Sequence, residues 1–221
     1  MDANVKEIFQ GVYEIDGKLA TLNLAKGRKV YNEDLVNINS NEYRLWNPYR
    51  SKLAAAIIKG LKYMEIKDGC NVLYLGAATG TTSSHVSDIV GKNGIVYAVE
   101  LSERNMRQLI EVCEERPNMV PILADARYSS KYEQYVDECD VIYQDVSTKE
   151  QAKMLIENSR FLKKGGIAYF IIKSQSIDIK HNPDIIYEKE LKILDGRFKL
   201  LQKFSLEPYD SLHLFAVLQK V

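Results

Sequence analysis

NVLYLGAATGTT, residues 71–82, decides the fold. Its first eight residues are almost entirely apolar, with no polar alternation, the pattern of a strand buried on both faces. Small residues at Gly76, Ala78 and Gly80 let the chain turn tightly and let a ligand approach the backbone. A helix opening at Thr81 presents unpaired N–H groups to that loop. The loop is not a G-x-G-x-x-G fingerprint: Ala78 replaces its second glycine and Thr81 its third. Alone, it is equally a tight turn in any α/β protein.

Toward the C-terminus, helical and extended stretches alternate. The helix TTSSHVSDIVG closes on Gly91, the strand GIVYAVEL follows, and SERNMRQLIEVCEE repeats Met106, Leu109, Ile110 and Cys113 at helical spacing. Then come strand MVPILADA, a short helical stretch near 131–137, strand DVIYQDV, helix KEQAKMLIENSRFL and strand IAYFIIK. A helix around 184–195 ends at Gly196. Such alternation predicts an α/β, doubly wound, mostly parallel sheet. The final strands, FKLLQKFSL and LHLFAVLQK, meet through EPYD with no helix between, so the last strand runs antiparallel. Seven strands with the last antiparallel describe a Rossmann-like methyltransferase sheet better than a dehydrogenase sheet.

Toward the N-terminus, YRSKLAAAIIKGLKYM places Leu53, Ile57, Leu61 and Met64 on one helical face, with Asn47-Pro48 as its expected cap and first residue. Before it, EIFQGVYEID, KLATLNLA, RKVYNED and NEYRLWN read as short strands separated by turns. We therefore expect two units: a small antiparallel β module over 1–47, and the main domain over 48–221. The module is too small for a large core of its own and should pack on the rest.

The 221 residues carry 30 basic and 30 acidic groups, which argues against a freestanding nucleic-acid binder and a polybasic membrane-surface protein. Three dispersed cysteines, Cys70, Cys113 and Cys139, point to neither a disulfide framework nor structural zinc, and no metal is expected. With no signal-peptide pattern and no apolar run of membrane-spanning length, a cytoplasmic protein is expected.

Acidic residues end three successive strands. Glu100 lies 24 residues after Gly76, where a carboxylate can accept both ribose hydroxyls of an adenosine. Asp125 could meet an adenine edge, and Asp145 ends the fourth strand. The loop carries no Lys or Arg to hold phosphates, so S-adenosylmethionine is favoured over a dinucleotide. Lys173 ends an apolar strand, and His213 begins an antiparallel one, so both reach the edge where Asp145 lies. Lys52 sits in the first turn of a helix, at the positive end of its dipole, a locally unfavourable choice. Each has an ordinary alternative: a solvated lysine, a helix-capping acid, a structural histidine. Convergence on one edge favours function.

Several ordered blocks resemble the archaeal fibrillarins: EYRLWNPYRSKLAAAIIKGL, VLYLGAATGTTSSHVSDIVG, GIVYAVELSER, ILADAR, VIYQDV, IKSQSID and EPYDSLH. The resemblance covers nearly the whole chain and is strongest over 43–100. It implies an S-adenosylmethionine-dependent RNA 2′-O-methyltransferase acting on pre-rRNA and tRNA. It also implies a complex with a Nop-family scaffold protein, a kink-turn-binding ribosomal-like protein, a C/D box guide RNA and its target RNA. The family's catalytic Lys-Asp-Lys-His set falls on Lys52, Asp145, Lys173 and His213. Its cofactor contacts fall on the loop at Gly76, Ala77, Gly80, Thr81 and Thr82, on Glu100-Leu101, on Asp125-Ala126 and on Asp145-Val146-Ser147-Thr148. Two departures stand out: Ser147-Thr148 replaces the usual Ala-Gln, and Gln175 replaces an arginine beside the expected RNA path. The expected chemistry is attack by a ribose 2′-oxygen, with Lys173, held by Asp145, assisting deprotonation and stabilising charge. Lys52 and His213 orient the nucleotide or relay the proton. The rival readings are a protein (glutamine) methyltransferase and a non-catalytic subunit on the same fold.

Overall fold

A computed structural model describes residues 4–221. Five short strands come first: β1 (Val5–Phe9), β2 (Val12–Ile15), β3 (Lys18–Leu22), β4 (Leu35–Ile38) and β5 (Asn41–Leu45). They form an antiparallel sheet in the order β1-β2-β3-β5-β4. The expected strand RKVYNED is instead a loop. The Glu33 carboxylate accepts the Val30 and Tyr31 N–H groups and folds the segment back on itself before β4.

Helix α1 (Lys52–Ile58) is shorter than its apolar repeat predicts. Its cap is Ser51, whose hydroxyl accepts the Ala54 N–H, and not Asn47, which closes a turn on Tyr49. The helix stops at Lys59 because side chains from other strands take over the backbone that follows. Gln202 bonds the Gly60 carbonyl and the Lys62 N–H, and the Tyr169 hydroxyl bonds the Tyr63 carbonyl and the Glu65 N–H.

The main sheet follows: β6 (Asn71–Leu75), α2 (Thr81–Val90), β7 (Ile95–Glu100), α3 (Glu103–Glu114), β8 (Met119–Leu123), β9 (Cys139–Gln144), α4 (Gln151–Asn158), β10 (Leu162–Lys173), α5 (Ser174–Ile177), α6 (Pro183–Ile193), β11 (Phe198–Ser205) and β12 (His213–Lys220). Its order is β11-β12-β10-β9-β6-β7-β8, and β12 runs antiparallel to both neighbours, as expected. Strand parity divides the core. Val72 and Tyr74 face α1, α2 and α3, while Leu73 and Leu75 face α4 and α6. The parallel strands β6 and β9 mark the point where successive strands switch from one side of the sheet to the other, so the loops leaving them diverge and open a crevice at their carboxyl ends.

The N-terminal sheet packs on α2 through Val12, Leu19 and Trp46 and through a buried polar cluster. Arg44 and Arg116 are enclosed with Glu33 and Asp88, and Asp88 also accepts the Leu24 N–H and the Thr21 hydroxyl. The Trp46 ring stacks on His85. Burial, Arg44 and Arg116 all push His85 well below its ordinary pKa, so it stays neutral.

Candidate active site

The crevice is a cavity of about 710 Å³. Its floor is the meeting of the glycine loop with the end of β9. The Asp145 N–H donates to the Leu75 carbonyl, bringing Asp145 against Gly76. A Cβ on Gly76 would lie 2.5 Å from the Asp145 carbonyl oxygen, and its φ of +84° is also one that favours glycine. Of the loop residues expected at the ligand, Gly76 lines the cavity, as does its neighbour Ala78. Ala77, Gly80, Thr81 and Thr82 do not. Ala77 is buried, Gly80 packs on Leu109 and Val112 of α3, and the Thr82 hydroxyl donates to Ser51. Ala77, Gly80 and Thr82 thus support the loop from behind the cavity lining.

One wall carries Glu100, Leu101, Asp125 and Ala126, and the opposite wall Asp145, Val146, Ser147 and Thr148. Glu100 is already engaged: Oε2 accepts the Ala78 N–H, and Oε1 accepts the Ser102 N–H and the Asn105 amide. Oε1 is thus filled and Oε2 keeps one acceptor position. The carboxylate fixes the strained turn at Ala78 (φ +49°) and has room for one ribose hydroxyl, not two. Asn105, also on the wall, has a free carbonyl for a second hydroxyl; it was not singled out in the sequence. Asp125 pairs with Arg127, whose guanidinium, together with backbone N–H donation, holds the carboxyl below its usual pKa despite burial.

At the mouth, the topology joins residues far apart in sequence. Lys173 and His213 are register partners across β10 and β12. Lys173 Nζ stands 2.7 Å from Asp145 Oδ1, a close ion pair that lies off the line of a straight hydrogen bond, and 3.3 Å from the Ser147 hydroxyl. Lys52 Nζ reaches Asp145 Oδ2 at 3.1 Å from the opposite side. Burial alone would push Asp145 up, but the two ammonium groups outweigh it and hold the carboxyl below its ordinary pKa. Burial also works against the Lys52 ammonium, yet Asp145 and Asp210 reverse that and raise its pKa, so Lys52 is a cation and not a base. His213 is lowered, by burial first and by Lys52 and Lys173 next, against the opposing pull of Asp210. All four expected residues therefore meet. The fifth member, Asp210, lies in the quoted EPYDSLH block, three residues before His213. That spacing was the available signal.

Gln151, fully buried, fastens this edge: its amide N–H groups donate to the Thr148 and Lys173 carbonyls, and its oxygen accepts the Lys173 N–H.

The fibrillarin family profile matches residues 3–221. The fibrillarin-like rRNA/tRNA 2′-O-methyltransferase of Methanocaldococcus jannaschii is 48% identical, over 98% of this chain and 96% of its own length. The Aeropyrum pernix fibrillarin structure, in complex with natively bound S-adenosyl-L-methionine, is 42% identical with a TM-score of 0.91, covering 99% of this chain and 98% of that one. The fibrillarin of a fibrillarin/Nop5p complex is 39% identical with a TM-score of 0.89, covering 98% and 100%. Matched end to end in both sequence and architecture, this chain belongs to the fibrillarin family.

Proposed function

We propose that this chain is the S-adenosylmethionine-dependent RNA 2′-O-methyltransferase of a C/D box guide ribonucleoprotein, acting on rRNA and tRNA. One observation carries it: Lys52, Asp145, Lys173 and His213 converge at the mouth of a nucleoside-sized cavity. The named activity of its relatives and the Nop5p partner of a structural neighbour support the same reading.

The residues present fit the cofactor. Gly76 lets the loop close against Asp145 to form a floor that any Cβ would force apart, Glu100 Oε2 has one acceptor position left, and Glu100, Asp125 and Asp145 suit a cationic ligand without phosphates. When bound, S-adenosylmethionine supplies a methyl group activated by its sulfonium. Glu100 and Asn105 hold the ribose, Asp125 meets the adenine, and residues 145–148 border the methionine end. Lys173, held by Asp145, stabilises negative charge growing on the target 2′-oxygen and so assists its deprotonation. Lys52 orients the nucleotide and His213 relays the proton.

In this reading the β module, expected over residues 1–47 and described from residue 4, is a unit docked on the catalytic domain, residues 48–221. A Nop-family scaffold and a kink-turn-binding protein present the guide and target RNA in the archaeal cytoplasm. No helix among the described residues is long and apolar enough to cross a membrane.

The test is methylation of a guide-matched RNA in the reconstituted complex, with Lys173→Ala beside wild type. Loss of about 10²-fold or more in turnover, with cofactor affinity retained, is expected. A wild-type complex that leaves guide-matched RNA unmethylated refutes the assignment, and undiminished turnover in Lys173→Ala refutes the role given to that lysine.

A further inference from the structure

Asp210 is not among the four residues assigned above, yet it touches two of them. It lies in the turn between β11 and β12, where its N–H donates to the carbonyl of the buried Leu206. Its Oδ2 stands 3.2 Å from Lys52 Nζ and its Oδ1 2.6 Å from His213 Nδ1. With Asp145 these contacts form one unbroken row: His213, Asp210, Lys52, Asp145, Lys173. Two ammonium groups and two carboxylates cancel, and the row ends on an imidazole.

We infer that Asp210 is a positioning residue that fixes His213 as its Nδ1–H tautomer and leaves Nε2 free to take the proton of the ribose 2′-hydroxyl. This rests on the reading of the chain as a 2′-O-methyltransferase. The contact is bent away from the line of a hydrogen bond, but at 2.6 Å two bare acceptors would repel each other, so a proton on Nδ1 is the arrangement this pair favours. A carboxylate can only accept, so the proton belongs to Nδ1, and the second nitrogen keeps its lone pair. The same logic orients the histidine of an acid–base–nucleophile array.

The surroundings agree with that role. Lys52 of α1 and Lys173 of β10 act on the ring with their positive charge, Asp145 beyond β9 neutralises part of it, and Asp210 on the ring's own turn supplies the negative charge that touches the ring. Burial and the two lysines keep the ring neutral and ready to accept a proton, while Asp210 stabilises the imidazolium formed when it does. The proton balance closes: each methylated hydroxyl releases one proton, Nε2 takes it, and it leaves to solvent through the exposed fifth of the side chain.

The tautomer is read by nitrogen-15 histidine NMR of the cofactor-free protein, and rates by single-turnover methylation across pH in the reconstituted complex. Wild type should show Nδ1–H at His213. Asp210→Ala should slow the single turnover at least about tenfold at neutral pH. It should also lower the His213 pKa, and the acid limb of the rate profile should move to lower pH by the same amount. Asp210→Glu should recover a substantial part of the rate. Cofactor affinity, measured by calorimetry, should change less than about threefold. An Nε2–H tautomer in wild type, an unmoved acid limb, a rate within twofold of wild type, or a defect confined to cofactor affinity would each overturn the inference. A wild-type complex inactive on guide-matched RNA would instead overturn the functional reading beneath it.

Discussion

Asp88→Asn tests what holds the N-terminal sheet to the rest of the chain. Asp88 sits near the end of α2 with its carboxylate fully buried. It accepts from Arg44 and the Thr21 hydroxyl on the strand side, from the Leu24 N–H in the loop, and from Arg116 after α3. Arg44 and Arg116 are balanced by Glu33 and Asp88, so the set is neutral as built. The amide nearly preserves shape but removes one charge, leaving two guanidinium groups and one carboxylate in a dry interior. Breaking one buried pair by removing a partner costs about 3–5 kcal/mol, and here both arginines lose the same partner. Arg116 is the less protected of the two, since burial already outweighs its partners and lowers its pKa. We expect a loss of about 4 kcal/mol, a large share of the roughly 5–15 kcal/mol of a typical domain. The assays are urea unfolding with the slope fitted freely, and a thermal scan expected to fall by about 10 °C or more. Limited proteolysis should also open the 23–34 loop first. A loss below about 1 kcal/mol would refute the reasoning and place the attachment in the apolar contacts of Val12, Leu19 and Trp46 alone.

Gly76→Ala should weaken S-adenosylmethionine binding at least tenfold by calorimetry, because its Cβ would meet the Asp145 carbonyl at 2.5 Å and force the cavity floor apart. Gln151→Leu should destabilise the fold by about 2 kcal/mol, since the Lys173 N–H and two carbonyls lose their partner, and should reduce methylation more than cofactor affinity. Glu190, buried against the start of α4 and accepting the Ala152 N–H, has its carboxyl pKa raised, chiefly by burial. Its contribution is therefore full below the unfolded carboxylate pKa and lost as pH rises through the folded one. Glu190→Gln should gain stability relative to wild type between pH 4 and pH 7, as followed by urea midpoints; a constant difference across that range would count against it.

The strand–helix alternation and the antiparallel last strand were legible because buried parallel strands need unbroken apolar runs, and a short link cannot return a strand in parallel. Helix α1 was overread for a physical reason. Leu61 remains buried as its spacing requires, but the backbone around it bonds Gln202 and Tyr169, partners from distant strands that no local pattern announces. Glu33 misled in the opposite way: a carboxylate that folds its own segment back looks, in sequence, like one more polar residue of a strand. In the site, residues at strand ends were found because sheet direction alone carries them to one edge. Asp210 and Asn105 lie outside that rule, since they sit in a turn and on a helix and reach the site only because the fold brings it to them.

The balanced charge of the chain takes on a sharper meaning at this edge. Residues 149–180 hold 7 basic and 3 acidic groups, an excess of the kind a phosphate backbone attracts. Yet Lys153, Arg160, Lys163 and Lys173 are all ion-paired, to Glu150, Glu133, Asp140 and Asp145. Lys163 and Lys164 moreover stand at the start of β10, while Lys173 ends it, so about 30 Å of strand separates them from the site. Lys52 and Lys173 are themselves neutralised within their row. Cations spent on holding one another's geometry release few counterions from a phosphate backbone, so the salt dependence of RNA binding by the isolated chain should be shallow. In the proposed assembly, affinity for RNA and the chemistry performed on it therefore belong to different surfaces, and a partner that supplies the first leaves this chain free to organise the second.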